Sequence, residues 1–303
     1  MQFVVEEPEV GSRLDVFLVR HLPGLGRAGA RELLKSRGVR VDGHCLPRGT
    51  QLRLGQSVEI LGRVPARRFS PAPAPELALA VVHEEAQFVV VDKPAGMPCH
   101  PLRPDETGTL VAALLARYPE IAQLGYARRE AGLVHRLDIG TSGLVVCART
   151  AHAFEQLTRS LRAGRWDKRY QAVVSGHPPV GARYTWPLAA DPKDPTRISV
   201  ADSDHAGAWQ AETEVLAVKP AGSCAWVEVR ASRARRHQVR VHLAHAGHAL
   251  VGDTLYGGLE DRLAHHALHA SALRFPHPTH GAPVDLEAPL SSPLIDLLRR
   301  LRS

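Results

Sequence analysis

The sequence predicts an α+β protein with two domains. Apolar residues recur with a helical period in some segments and alternate with a strand period in others, which favours a mixture of helices and strands. A proline-rich segment divides the chain, and 303 residues with 44% apolar content can give each of two domains a core. We expect an N-terminal domain at residues 1–64, a linker at 65–76 and a larger domain at 77–303.

The linker prediction rests on the stretch Val64-Pro-Ala-Arg-Arg-Phe-Ser-Pro-Ala-Pro-Ala-Pro75. Proline has a fixed φ and no backbone N–H, so neither a helix nor a central strand continues through repeated prolines. Segments of this composition form semi-rigid spacers. A second proline-rich patch, from Asp191 to Pro195, predicts a surface turn.

The charge of the chain favours a polyanionic partner. It has 38 Lys plus Arg against 31 Asp plus Glu, a net charge of +7 and a pI near 9.6. Nearly all of these cations are Arg, whose planar guanidinium suits phosphates and stacked bases. A GC-rich genome would produce the same bias, so the excess of Arg by itself identifies no partner.

The sequence argues against a membrane protein and against a disulfide-stapled one. No uninterrupted apolar run approaches the ~20 residues that a membrane-spanning helix needs. The four cysteines lie far apart without a C-x-x-C pair, and no signal peptide is recognisable. These features predict reduced thiols in a cytoplasmic protein.

The N-terminal domain begins with two predicted helices and continues with two strands. The segment Arg13-Leu-Asp-Val-Phe-Leu-Val-Arg20 has a helical apolar stripe, and a second helix at residues 28–35 ends near Gly38. Residues 39–43 and 56–60 alternate in the manner of strands.

Residues 12–61 resemble an S4 domain, a small RNA-binding module with two helices and a short hairpin. The matching stretches are Arg13-Leu-Asp15, Gly26-Arg27 with Leu33-Leu34, Val39-Arg-Val-Asp-Gly43 and Leu54-Gly-Gln-Ser-Val58. The resemblance implies that the basic face of the second helix binds RNA, through Arg27, Arg31, Lys35 and Arg37. The alternative is a basic, solvated helix face without a ligand. Gly26 stands where the family has Ser, so this helix lacks its usual cap.

The larger domain places a carboxylate in a loop ahead of a core strand. Phe88-Val-Val-Val-Asp92 predicts a buried strand before the turn Lys93-Pro-Ala-Gly96, and Thr109 is placed to cap a helix. Asp138 lies just before the apolar strand 144–148, where rigid scaffolds often present reactive groups. Possible donors around it are His135, Arg136, Thr141 and Ser142. By itself, such a segment is more often an ordinary Asx turn.

Four motifs in order along the chain resemble those of the RluA family of pseudouridine synthases. They are His135-Arg-Leu-Asp-Ile-Gly-Thr-Ser-Gly143, Lys168-Arg-Tyr170, Arg235-Arg-His-Gln-Val-Arg-Val-His242 and Gly252-Asp-Thr-Leu-Tyr-Gly257. The third motif runs into a predicted helix at residues 237–246, whose first turns carry Arg240, and the fourth motif follows that helix. Further matches include Asp92-Lys-Pro-Ala-Gly96, Leu268-His-Ala270 and Phe275-Pro-His-Pro278, so the resemblance extends over nearly all of residues 80–300.

The resemblance implies a catalytic domain built on a mostly antiparallel central sheet. It also implies that Asp138 is the catalytic carboxylate, Tyr170 the active-site tyrosine and Arg240 the cation that pairs with Asp138. Further RNA contacts are expected from Arg136, Arg235 and His237. Three departures stand out: Ile139-Gly140 replaces a pair that is commonly charged, Ala234 replaces Gly, and Cys99 replaces an aliphatic residue.

The implied reaction needs no cofactor. Uridine loses its N1–C1′ bond, the uracil turns, and a C5–C1′ bond forms. The carboxylate could attack C1′ or C6, or act as a base at C2′, and each route requires it to be ionised. A cation in fork geometry would keep a sheltered carboxylate charged, and the tyrosine ring could stack on uracil while its hydroxyl removes the C5 proton.

Other classes of function remain open at this point. A non-catalytic RNA-binding or ribosome-assembly factor would share the fold, and a retaining hydrolase would need a second carboxylate about 5 Å from the first. A metal site is not expected, because the histidines lack accompanying carboxylates or thiolates at ligand spacing. We expect a monomer that binds structured RNA, with ribosomal RNA favoured over tRNA because S4-bearing family members often modify large-subunit ribosomal RNA.

Overall fold

The computed structural model describes residues 1–22, 25–61, 69–103, 106–194, 196–202, 205, 207–231, 234–261 and 263–302. The chain divides into two compact units, Met1–Ser70 with Tyr126–Arg129 and Pro71–Gly125 with Glu130–Ser303. The division after residue 70 falls within the segment predicted as a linker at 65–76. Residues 62–68, which include the first four residues of that segment, lie outside the described residues.

The helices are α1 (Leu14–His21), α2 (Arg27–Lys35), α3 (Leu110–Arg117), α4 (Ala151–Arg162), α5 (Gln238–His245) and α6 (Ser292–Arg302). The strands are β1 (Gln2–Val4), β2 (Val39–Val41), β3 (Ser57–Ile60), β4 (Ala80–Glu84), β5 (Phe88–Lys93), β6 (Ser142–Ala148), β7 (Asp167–Ser175), β8 (Arg183–Tyr184), β9 (Leu188–Ala190), β10 (Ile198–Val200), β11 (Thr213–Ala221), β12 (Cys224–Arg230), β13 (Leu268–Pro276) and β14 (Pro283–Glu287).

The first unit packs α1 and α2 with an antiparallel sheet in the order β1-β3-β2. The predicted stripe of α1 is confirmed, since Leu14, Phe17 and Leu18 are buried. On α2, Leu33 is buried, whereas the basic side chains predicted to bind RNA are exposed: Arg27, Arg31, Lys35 and Arg37. The amphipathic pattern therefore turns the basic face of α2 to solvent.

The second unit is built on a mixed, mostly antiparallel sheet, as the resemblance implied. Its strand order is β4-β5-β6-β13-β7-β12-β11-β8, and β14 also pairs with β13. The pairing of β13 with β6 is parallel, and the other pairings in this sheet are antiparallel. A separate two-stranded ladder joins β9 and β10.

Helices cover both faces of this sheet. One apolar cluster includes residues of α3 and α5 and takes in Tyr170, Ala172 and Val174, which alternate along β7. Residues of α4 and α6 belong to two other clusters. The predicted cap is confirmed at Thr109, whose hydroxyl accepts the N–H of Ala112 at 3.3 Å.

Within the described residues, none of the helices is long and apolar enough to span a membrane. The four cysteines are free thiols; Cys45 is exposed, and the others are buried.

Candidate active site

Asp138 lies in the loop that leads into β6. The N–H of Thr141 donates to the carbonyl of Asp138 at 3.1 Å, which folds the loop into a turn. Just after the loop, Gly143 in β6 has a φ of +112°, and a Cβ there would lie 2.3 Å from the carbonyl oxygen of Ala270 on β13. Only glycine permits this approach, so the sheet fixes the end of the loop. The Asp138 side chain remains 16% exposed.

Arg240 is the cation that contacts Asp138. It lies in the first turn of α5, and its Nη1 donates to Oδ2 of Asp138 at 3.0 Å. We expected the fork of the guanidinium to face Asp138, and this was wrong. Nε and Nη2 instead donate to the two carboxylate oxygens of Asp253, at 2.7 and 2.8 Å. Asp253 occupies the two-atom edge of the guanidinium, so Asp138 receives a single N–H.

Opposing effects set the charge of Asp138. Burial raises the pKa of this carboxyl. The charge of His237, which is protonated at acidic pH, and the charge and hydrogen bond of Arg240 favour the carboxylate more strongly, so the pKa is lowered from its ordinary value. Burial also lowers the pKa of His237 to about 4, which leaves its imidazole neutral near pH 7. At neutral pH Arg240 is therefore the cation in contact with the Asp138 carboxylate.

His237 lies beside the same carboxylate, immediately before the N-terminus of α5. It precedes the helix in the left-handed conformation, with a φ of 57°, and its Nε2 lies 3.8 Å from Oδ2 of Asp138. Its Nδ1 lies 2.7 Å from the hydroxyl oxygen of Tyr256. The sequence predicted an RNA contact for His237; the structure places it beside the candidate catalytic group.

Tyr170 lies on β7 in the cluster beneath this site, and it is 5% exposed. Burial, and secondarily the charge of Asp138, raise the pKa of the Tyr170 phenol. The phenol is therefore protonated at neutral pH. A neutral, sheltered ring of this kind is suited to stacking on a base.

Lys93, the last residue of β5, supports the Asp138 loop. It was not among the site residues predicted from the sequence. It is fully buried, and burial lowers the pKa of its amine to about 8. The ammonium donates to three backbone carbonyls at 2.8 to 3.2 Å, those of Pro94, Met97 and Ile139. The Ile139 carbonyl also accepts the N–H of Gly96 at 2.7 Å, so the turn after β5 holds the residue that follows Asp138.

The histidine pair His265-His266 packs over glycines of the same loops. A Cβ at Gly140 would lie 2.9 Å from the His266 ring, and one at Gly96 would lie 2.8 Å from Nε2 of His265. Nε2 of His266 is 2.8 Å from the hydroxyl of Thr141. Among the described residues, no group of three His, Cys, Asp or Glu side chains is arranged to hold a metal ion.

The remaining predicted site residues have different surroundings. Arg136 is exposed, and the exposed Arg235 guanidinium lies 5.8 Å from the ring centroid of Trp209. His135 accepts the N–H of Val146 at 3.1 Å and so braces β6 rather than the carboxylate.

The arrangement combines an ionised carboxylate, a fixed cation and a neutral phenol. The second carboxylate on Arg240, Asp253, is 2% exposed and has both oxygens engaged, so it is not placed to act on a substrate as a hydrolase would require. The signal that could have identified Asp253 was its place in the motif Gly252-Asp-Thr-Leu-Tyr-Gly257.

Comparison with known proteins identifies the family. The family model described as RNA pseudouridylate synthase matches residues 87–245. An RNA pseudouridine synthase of Chloroflexus aurantiacus is 37% identical over 302 residues, which cover 99% of this chain and 93% of that protein. The ribosomal large subunit pseudouridine synthase D of Xanthomonas campestris is 35% identical over 316 residues, covering 99% and 92%.

A solved structure agrees with these matches. Human RNA pseudouridylate synthase domain containing 1 superposes with a TM-score of 0.57 at 25% identity, over 76% of this chain and 97% of that chain. Since the relatives align along almost the entire sequence, the chain belongs to the RluA family of RNA pseudouridine synthases, isomerases that convert uridine in RNA to pseudouridine.

Proposed function

We propose that this protein converts specific uridines of large-subunit ribosomal RNA to pseudouridine, with Asp138 as the catalytic carboxylate. The observation that carries the proposal is the 3.0 Å bond between Asp138 and Arg240, because a partly buried carboxylate with a lowered pKa is ready to react at neutral pH. The ribosomal target rests on relatives named ribosomal large subunit pseudouridine synthase D, with tRNA as the alternative substrate.

The site residues divide the work of this reaction. Asp138 attacks C1′ or C6 of the target nucleotide, or removes the proton at C2′, and Arg240 keeps it ionised. Tyr170 stacks on the extruded uracil. Its raised pKa makes it a poor base at neutral pH, which supports stacking over removal of the C5 proton.

The first unit supplies affinity for the RNA in this proposal. Residues 1–64 form an S4-like RNA-binding domain, tethered through residues 65–76 to the catalytic domain at 77–303. Its contacts are the exposed basic residues of and after α2, namely Arg27, Arg31, Lys35 and Arg37. Arg136, Arg235 and His237 contact the RNA next to the reacting base.

Release of the C5 hydrogen tests the reaction. RNA carrying tritium at C5 of uracil should release label to water while the chain stays intact and no base is lost. Asp138→Asn keeps the shape of the side chain without an ionisable group, so it should bind RNA but release tritium only at background. Asp296→Asn on the exposed face of α6 is the matched control and should behave as wild type. Release near the wild-type rate from Asp138→Asn would reject Asp138 as the catalytic residue.

Mapping of pseudouridine in a strain without the gene tests the RNA target. We expect one or a few positions of large-subunit ribosomal RNA to lose pseudouridine and to regain it with the wild-type gene but not with Asp138→Asn. Loss confined to tRNA would reject the ribosomal target and leave the reaction intact. Free uracil and abasic sites in vitro would indicate a glycosidase, and binding without release would indicate an RNA-binding factor.

A further inference from the structure

Asp253 holds the other side of the arginine that contacts Asp138. Its side chain is 2% exposed, and it accepts two hydrogen bonds from Arg240, at 2.7 and 2.8 Å. Arg240 is itself 7% exposed. Both bonds are shorter than the 3.0 Å bond from Arg240 to Asp138. The buried guanidinium is thus anchored more firmly to Asp253 than to the carboxylate of the proposed reaction.

The backbone of Asp253 is fixed by a tight turn. Its N–H donates to the carbonyl of Leu250 at 3.1 Å, and its carbonyl accepts the N–H groups of Tyr256 and Gly258 at 3.1 and 2.9 Å. A Cβ at Gly258 would lie 1.9 Å from the carbonyl oxygen of Leu250, so only glycine lets the turn close. The Asp253 carboxylate is therefore presented from a rigid support.

A guanidinium is planar, so fixing two N–H groups on one edge also fixes the directions of the others. We propose that Asp253 is a positioning residue, which orients Arg240 so that Nη1 points at Asp138. The proposal rests on the proposed function, because it concerns the carboxylate assigned to that reaction. It accounts for a second buried carboxylate that the chemistry itself does not use.

The charge balance supports the same role. One guanidinium is shared by two carboxylates, and a buried arginine without fixed partners would be costly. The Asp138 carboxylate is also faced by other titratable or charged groups, namely His237, His266, Lys93, Tyr170 and Cys99. Tyr256 faces it as well. Arg240, in addition to these groups, is the cation hydrogen-bonded to Asp138, so its orientation decides how well the carboxylate is stabilised.

Asp253→Asn tests the proposal, because an amide nitrogen cannot accept a hydrogen bond from Arg240. We expect kcat for tritium release to fall about 10- to 100-fold, as for a misplaced catalytic group. The KM for RNA should stay within about twofold, and the acidic limb of the pH profile should move to higher pH, since Asp138 loses its aligned cation. Asp285→Asn on exposed β14 is the matched control. Wild-type kcat and an unmoved acidic limb in Asp253→Asn would overturn the proposal.

A double variant separates positioning from an independent effect. If Asp253 acts through Arg240, Asp253→Asn should reduce kcat no further in an Arg240→Met background, whereas multiplied losses would overturn the proposal. Arg240→Met alone leaves Asp253 buried without a counter-ion, so the double variant should unfold at a higher temperature than Arg240→Met. An equal or lower temperature would reject the pairing, and this comparison applies even if Asp253→Asn does not fold. Absence of release from wild type would reject the proposed function itself.

Discussion

The hydroxyl oxygen of Tyr256 lies 2.7 Å from Nδ1 of His237. This oxygen also accepts the backbone N–H of Ile198 at 2.9 Å. A phenol hydroxyl has one hydrogen, and it is then free to point at Nδ1. The carboxylate of Asp138, 3.8 Å from Nε2, favours the hydrogen on that second nitrogen. Tyr256 and Asp138 thus select the same tautomer of His237.

We predict that His237 is neutral at pH 7 and carries its hydrogen on Nε2, because burial lowers its pKa to about 4. Nitrogen NMR of histidine-labelled protein checks this. We expect the chemical shift of Nδ1 to stay in the range of an unprotonated nitrogen down to about pH 5. Tyr256→Phe should give a mixture of tautomers and lower kcat about fivefold, the effect of one lost hydrogen bond of roughly 1 kcal/mol. A protonated Nδ1 in the wild type would contradict the assignment.

Arg240→Met should move the acidic limb of the pH profile upward. A carboxylate with a depressed pKa loses its charge only as the pH falls through that pKa, so activity needs a pH above it. Without Arg240, burial is opposed less strongly and the pKa of Asp138 rises. Arg240→Lys should recover part of the loss, because a point charge cannot bond two carboxylates with the geometry of a guanidinium. Profiles of kcat/KM between pH 4 and 9, about the range of RNA stability, measure the shift. If the acidic limb lies at the same pH in wild type and in Arg240→Met, Arg240 does not affect the pKa of Asp138.

Lys93→Met should destabilise the protein and slow the reaction. The substitution keeps an apolar stem but removes the donor to the carbonyls of Pro94, Met97 and Ile139. The Ile139 carbonyl keeps the N–H of Gly96, and each of the other two, left without a protein donor, costs roughly 1–3 kcal/mol. Part of this cost is offset because a buried charge is removed, so we expect a net loss of about 2–4 kcal/mol. Urea unfolding measures it, with Lys193→Met in an exposed turn as the control. Stability equal to wild type would mean that the ammonium does not hold the loop.

Neutralising the exposed face of α2 should weaken RNA binding without changing turnover. The variant replaces Arg27, Arg31, Lys35 and Arg37 with Gln. Each lost phosphate contact lowers the log–log salt slope by roughly 0.7–0.9, so four contacts should lower it by about 3. KM should rise, while kcat at saturating RNA stays the same. Arg159→Gln with Arg162→Gln on α4 is the control, and a collapse of kcat in the α2 variant would place the first unit in the active site.

The sequence predicted the parts of the site that depend on order along the chain. Asp138 was expected before a core strand and Arg240 in the first turns of a helix, and both positions follow from local patterns and motif matches. The two contact each other, as the resemblance implied. The two hydrogen bonds from Arg240 to Asp253 could not be predicted, because no sequence periodicity relates a helix to the turn that follows it.

Short and irregular elements also could not be predicted from the sequence. Strands β8, β9 and β10 have two or three residues each, too few for alternation to identify them. The turn between β9 and β10 was predicted at residues 191–195, and there Asp191 accepts the backbone N–H groups of Lys193 and Asp194. Lys93 was predicted only as part of a turn and not as a site residue, because a sequence does not reveal that a lysine side chain is buried.

Strand β13 is the shared neighbour of β6, β7 and β14. Because a chain is synthesised from its N-terminus, Asp138 and β6 leave the ribosome well before this partner strand. Arg240 and Asp253 also follow Asp138 at a distance in the chain. A nascent chain that ends after α4 therefore has the carboxylate without its cation and without the strand that closes the sheet beside it. The active site can assemble only after β13 has been synthesised.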